Sequence, residues 1–252
     1  MQNNSKHIYA ELESKRFGKN VYRLNTDRLL FNDIVQDIEK YEIDLLILRV
    51  PSTEVYQLHL LNQLSCEYII ADTLVYYSID LNKIETPILK NNNLQFQLAS
   101  ESDKDLLYPL VMETFDGYKN HYYSNPHLNK NGILEGYAEW TLGHIESPNK
   151  LCFIAKDGDK IVAFASCSYI DDTAEGVIFG VSKDYAGRGI YTDLIKYSHI
   201  YFKEKGFKMM KVSTQIQNYT VQRVWIKEGY LIENAYITIH INNFIKKQND
   251  TI

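Results

Sequence analysis

Residues 175–230, EGVIFGVSKDYAGRGIYTDLIKYSHIYFKEKGFKMMKVSTQIQNYTVQRVWIKEGY, constrain the fold more than any other part of this chain. They read as strand, glycine turn, helix, strand, asparagine turn and short helix, which is one crossover unit. Gly187 and Gly189 stand just before an amphipathic helix that runs over 191–205 and stops at Gly206. Glycines there let the backbone approach a ligand closely, and the first amides of a helix lack intrahelical partners. A pyrophosphate accepting those N–H groups would also gain from the helix field. The competing reading is a purely structural tight turn. Neither GxxxxGK[ST] nor a strand-borne GxGxxG occurs, which sets aside the nucleotide loops those patterns mark.

Around this unit the chain divides in two. Residues 1–85 read as a small α/β domain, with a helix over 28–40, a strand over 44–50, a helix over 52–65 capped by Ser52 or Thr53, and one or two strands over 68–81. Pro87 and the asparagines 91–93 mark a linker over 86–93. The second domain, 94–252, opens with a strand over 94–100 and a helix capped by Ser102 that ends near Gly117. An irregular aromatic stretch over 118–131 follows, placed where a substrate could meet it, and then a helix over 133–145. Asp157 and Gly158 join two β-runs as a hairpin, and 173–181 continues the sheet. A strand over 209–214, a helix over 221–228 and a closing strand over 231–241 complete the pattern.

With 252 residues the chain can bury a core without disulfides or metal. A net charge of −5 argues against nucleic acid or an anionic membrane as partner. No run approaches 18 apolar residues, so neither membrane insertion nor secretion is expected. Three cysteines without a close-spaced pair suit a reducing cytoplasm. His127, His144, His199 and His240 form no ligand cluster with the cysteines, and no metal is expected.

The AGRGI turn that opens a helix, combined with Asn218, Val221, Val224, Trp225, Gly229 and Tyr230 at their spacing, resembles the GCN5-related N-acetyltransferase (GNAT) superfamily over residues 94–241. The resemblance implies an α+β fold with a mixed central sheet flanked by helices, here with an additional N-terminal α/β domain. It implies acetyl-CoA as cosubstrate and direct attack of an amine through a tetrahedral intermediate. It assigns the CoA pyrophosphate to Ala186, Gly187, Arg188, Gly189, Ile190 and Tyr191. The pantetheine arm falls to the strand 177–181, including Phe179, Gly180 and Val181, and to Asn218. The Val181 amide becomes the oxyanion donor. Three positions depart from the superfamily pattern: Ala186 and Tyr191 replace its usual loop ends, and Trp225 stands where many members have a tyrosine that protonates the thiolate. An indole N–H is no such acid.

Over its whole length the chain is also similar to the bacterial dTDP-fucosamine acetyltransferase group, through ILRVP at 47–51, ADTLVYYSIDL at 71–81 and HYYSNPHLNKNGILEGYAEW at 121–140. That similarity implies a nucleotide-linked 4-amino-4,6-dideoxyhexose as acceptor and a homodimer. Another amine, or a noncatalytic acyl-CoA-binding module, are the alternatives.

Acetyl transfer needs an acceptor for the amine proton and donors for the oxyanion. Glu175, at the start of the strand that leads to the glycine turn, is the base candidate, with a solvated carboxylate as the other reading. His121 and Tyr122 are acceptor contacts or acid and base groups, or else they pack the loop. Tyr219 beside Asn218 is the candidate to replace the missing phenol. Arg188 either assists the phosphates or faces solvent, and Asn218 either meets the cofactor or caps a turn.

Overall fold

The computed structural model describes residues 6–245. Its strands are β1 (Lys6–Tyr9), β2 (Val21–Asn25), β3 (Leu45–Pro51), β4 (Glu67–Asp80), β5 (Gln95–Leu98), β6 (Lys150–Asp157), β7 (Lys160–Ile170), β8 (Thr173–Val181), β9 (Met209–Gln215) and β10 (Leu231–Asn242). They form one sheet in the order β1-β2-β3-β10-β4-β9-β8-β7-β6-β5. The closing strand β10 therefore lies inside the N-terminal half, antiparallel to β3 on one side and to β4 on the other. Strand β4 in turn pairs with β9, so the sheet passes from one half of the chain to the other without an edge. This is the expected mixed sheet with helices on both faces.

The α-helices are α1 (Glu11–Phe17), α2 (Phe31–Lys40), α3 (Lys104–Phe115), α4 (Ile133–Leu142), α5 (Ile190–Glu204) and α6 (Tyr219–Lys227). On one face, α5 and α6 cover Phe153, Ala163, Met210 and Val212, while α2 and the segment 52–63 cover Leu46, Leu48, Ile237 and Ile239. On the opposite face, α3 and α4 cover Ile154, Phe164 and Ile178, and the segments around Ala10 and 122–133 cover Leu45 and Ile47. The period-2 alternation of each strand divides these sets.

Some local expectations change. The helix foreseen over 52–65 is a 3-10 helix, Ser52–Gln63, and neither Ser52 nor Thr53 caps it. Its buried residues, Leu58 and Leu61, are three apart, the spacing that a three-residue turn aligns. Ser100, not Ser102, makes the capping box ahead of α3, exchanging bonds with Asp103. The run 68–81 forms a single strand, β4.

The segment 82–93 is bound along α5. The fully buried Asp193 accepts from the backbone N–H of Lys90 (2.9 Å) and of Asn91 (2.8 Å) and from Asn91 Nδ2 (2.7 Å). Lys196 Nζ donates to Ile88 O at 3.2 Å, and Lys203 Nζ to Ile84 O. Removing the carboxylate leaves three donors without their acceptor, so Asp193→Ala is expected to cost about 3 kcal/mol in urea unfolding. A loss below about 0.5 kcal/mol would show that the segment is held by other means.

Candidate active site

The site begins where two strands part. Strand β8 pairs in parallel with β9 only from Thr173–Met209 to Gly176–Val212. Its register with β7 then shifts between Ile178 and Gly176, which leaves Val177 as a bulge. Beyond the bulge β8 follows β7 alone. Ser182 N donates to Val162 O (2.9 Å), so alternation aims the Gly180 and Ile178 amides at β7 as well. The Phe179 and Val181 amides consequently face the gap between β8 and β9.

At the end of that gap lies the glycine turn. Gly187 (φ +76°) and Gly189 (φ +86°) occupy the left-handed region, and no side chain caps the N-terminus of α5. No atom comes within 4 Å of where a Cβ on Gly187 would sit, so the turn is open above its backbone. Free helix amides, an open glycine backbone and two unpaired strand amides fit a pyrophosphate followed by an amide-bearing arm. Arg188 folds back, with Nη2 donating to Asp184 O (2.8 Å) and the guanidinium 4.7 Å from the Tyr185 ring centre. Asn218 sits across the mouth at the start of α6, and its Nδ2 donates to Thr214 Oγ1 at 3.0 Å.

The face under α3 and α4 holds the polar groups. Glu175 lies opposite Lys211, and Gln215 opposite Leu74, so Glu175, Lys211, Gln215 and Asp72 share this face by alternation. Arg49 pairs with Thr238, and Thr238 with Asp72, which extends the row across β3, β10 and β4. A polar strip thus separates the apolar cluster under α3 and α4 from the one under 122–133. Glu175 is exposed to solvent but crowded by the cleft walls, and that desolvation pushes its carboxyl up against the pull of Arg49 and Lys211. Burial likewise raises Asp72, opposed by Thr238, Arg49 and Gln215.

The stretch 118–131 closes over the strip. The Tyr118 hydroxyl donates to Gln215 Oε1, and its phenol is raised by burial, with Thr214 and Asn218 opposing and Asp72 reinforcing. Ser124 Oγ donates to Ala71 O (2.6 Å).

His121 and Tyr122 lie inside this closure. Asn125 Nδ2 contacts His240 Nδ1 (3.1 Å), and His240 Nε2 contacts His121 Nδ1 (2.8 Å). With the Asn125 amide donating, His240 carries its proton on Nε2 and His121 accepts at Nδ1. Burial lowers both imidazoles, His240 to about 3 and His121 well below the usual histidine range, so both rings are neutral. Tyr122 donates to Glu13 Oε1 (3.0 Å) and accepts from Arg23 Nη2 (3.1 Å), and burial pushes its phenol up to about 12. These two residues tie the loop to the N-terminal strands.

The remaining sequence candidates separate. Tyr219 is 64% exposed on the outer side of α6, whereas Trp225 is buried against Tyr77 with ring centres 5.4 Å apart. Tyr191 packs beside Phe179 (5.8 Å between ring centres), and its phenol is raised by burial and opposed by Trp225. Sequence reasoning passed over Arg49, Asp72, Gln215 and Thr238. Arg49 and Asp72 each interrupt an apolar strand run, DLLILRV and ADTLVYY, and that interruption was the available signal.

Among the described residues, no group of three or more His, Cys, Asp or Glu is placed to hold a metal ion, and no helix is long and apolar enough to cross a membrane.

Residues 109–230 match the acetyltransferase (GNAT) family. The spore coat polysaccharide biosynthesis protein SpsD of Bacillus subtilis (strain 168) is 21% identical over 202 residues, covering 79% of this chain and 67% of that protein. A GCN5-related N-acetyltransferase from Sphaerobacter thermophilus superposes with a TM-score of 0.64 at 14% identity, over 94% of this chain and 75% of its own. The GCN5-related glucosamine N-acetyltransferase region of a fungal multi-domain GH3 beta-N-acetylglucosaminidase gives 0.59 at 12% identity, over 94% of this chain and 31% of that one. The two structures speak to the fold, and the family match covers the strand, glycine turn and α6 that build the gap. Residues 109–230 thus carry a GNAT acetyltransferase region, and the protein is an acetyl-CoA-dependent N-acetyltransferase.

Proposed function

We propose that the protein acetylates the amino group of a nucleotide-linked amino-deoxysugar, a dTDP-4-amino-4,6-dideoxyhexose, in the cytoplasm. The observation that carries this reading is the likeness to a spore coat polysaccharide biosynthesis protein, which spans 79% of the chain and so runs well beyond residues 109–230. A cleft with a polar floor drawn from both halves of the chain is consistent with it, because a hydroxylated acceptor needs hydrogen-bonding groups on several sides.

In this reading Glu175 takes, directly or through water, the proton that the amine loses as its nitrogen attacks the thioester carbonyl. The Phe179 and Val181 amides face the oxygen that becomes negative, and fixed amides need no reorganisation to stabilise it. Tyr118 returns a proton to the sulfur as the carbon–sulfur bond breaks. Its raised phenol is fully protonated near neutrality, and it reaches toward Asn218 at the mouth of the gap. Trp225, Tyr219, His121 and Tyr122 have no proton to move in this scheme. The last two position the loop that carries Tyr118.

Purified protein with acetyl-CoA and a panel of dTDP-linked 3-amino and 4-amino sugars, spermidine and a dipeptide is expected to acetylate a 4-amino sugar with the highest kcat/KM, read by product mass. Preference for spermidine or the dipeptide would replace the sugar reading. Glu175 is raised above the ordinary carboxylate range, so activity is lost as pH falls through that raised value and the carboxylate is protonated. Glu175→Gln is expected to lower kcat/KM by about a hundredfold and to remove this acidic limb from the pH profile. An unchanged limb in the variant would assign the base elsewhere.

A further inference from the structure

The row Arg49, Thr238 and Asp72 contains buried polar atoms that the fold leaves short of a well-formed hydrogen bond. Arg49 Nε, both carboxylate oxygens of Asp72 and Thr238 Oγ1 are buried without a hydrogen bond of full geometry among the described residues, although Thr238 and Gln215 stand near enough to Asp72 to pull its carboxyl down. Thr238 is fully buried. Unpaired buried groups of this kind cost about 1–3 kcal/mol each, so a row of them with no structural return is a sign of a missing ligand. Their register makes them neighbours: Arg49 opposes Thr238 across β3 and β10, and Thr238 opposes Asp72 across β10 and β4.

The row also has a place in the site. The field of Arg49 acts on Asp72, on Glu175, on His121 and on His240, so the guanidinium lies between the N-terminal strands and the base end of the cleft. Tyr118 covers the row from above, bonded to Gln215. The chemistry of the three side chains is specific. A carboxylate only accepts, a guanidinium only donates, and a threonine hydroxyl does both. Together they match hydroxyl groups, each of which offers one O–H and accepts at its oxygen. The methylene stem of a polyamine would leave all three unsatisfied.

We propose that Arg49, Thr238 and Asp72 form a hydroxyl-binding subsite that holds the acceptor's ring beside the amine taken by Glu175. The proposal deepens the sugar reading and rests on it for the identity of the acceptor, though not for its test. Asp72 accepts from a ring hydroxyl, and Arg49 donates to the oxygen of the same or a neighbouring one. The N-terminal half of the chain thereby selects the acceptor, while residues after 109 hold acetyl-CoA.

The test compares two amines that differ in their hydroxyls, glucosamine and cyclohexylamine, with dTDP-4-amino-4,6-dideoxygalactose as a third acceptor. The wild-type protein is expected to favour glucosamine over cyclohexylamine by at least about a hundredfold in kcat/KM, since a site built for hydroxyls penalises their absence. Arg49→Met and Asp72→Asn should each bring that ratio to within about fivefold while the KM for acetyl-CoA stays within about twofold. A wild-type protein without the preference, or variants that keep it, would overturn the proposal. A dTDP sugar no better than glucosamine would count against the nucleotide part of the sugar reading only. If neither simple amine is acetylated, the ratio is taken between the dTDP sugar and its analogue lacking the 3-hydroxyl. Thermal unfolding supplies an arm that needs no acceptor. Groups kept for a ligand add nothing to the free fold, so the double variant R49M/D72N should melt no lower than wild type. A fall of more than about 5 °C would assign the row to structure and overturn the proposal.

Discussion

The active site depends on a ladder that stops early. Strands β8 and β9 remain paired only as far as Gly176 and Val212, and the bulge at Val177 then commits the rest of β8 to β7. Had the parallel ladder continued, the Phe179 and Val181 amides would have been spent on β9. Because it does not, two strand amides and the free amides at the start of α5 line a single gap, in a protein whose cosubstrate carries amides and phosphates at matching places. The fold supplies these donors from backbone alone, which is why the neighbouring side chains, Ala186 and Tyr191, tolerate departure from the superfamily pattern.

The second constraint is the placement of β10. A C-terminal strand inserted between β3 and β4 makes the sheet continuous, so residues from the two ends of the chain share one face. Apolar clusters under α3 with α4 and under 122–133 hold that face at two places. Between them the strip from Arg49 to Glu175 stays polar, covered by a loop tied down through Tyr118, His121, Tyr122 and Ser124. The neutral histidine pair suits this duty. A charged imidazole there would stand against Arg49 and Arg23 in a desolvated interior.

The sequence was most readable where structure is local. The glycine turn, α5, the hairpin at Asp157–Gly158 and the strand that carries Glu175 follow from spacing and turn chemistry, and the superfamily resemblance rests on that turn together with the spacing from Asn218 to Tyr230. What needed coordinates was long-range. Nothing in LIENAYITIHIN states that it pairs with DLLILRV nearly 190 residues earlier. For His121 and Tyr122 the choice between acid–base chemistry and loop packing stayed open, because their partners, His240, Glu13 and Arg23, come from distant segments. Ser52 and Ser102 looked like caps, yet a three-residue repeat at Leu58 and Leu61 and the closer geometry of Ser100 with Asp103 prevailed. Arg49 and Asp72 were passed over as single charges in apolar strands, a pattern that marks either an edge or a site.

The central claim is that the Phe179 and Val181 amides face an unpaired gap that acetyl-CoA fills. Amide hydrogen exchange, resolved by residue with and without acetyl-CoA, tests it most directly. The account predicts fast exchange at Phe179 and Val181 in the free protein, slow exchange at Ile178 and Gly180, and strong protection of the first pair alone when acetyl-CoA is added. Equal protection of all four in the free protein, or no change at Phe179 and Val181 on saturation with acetyl-CoA, would contradict it.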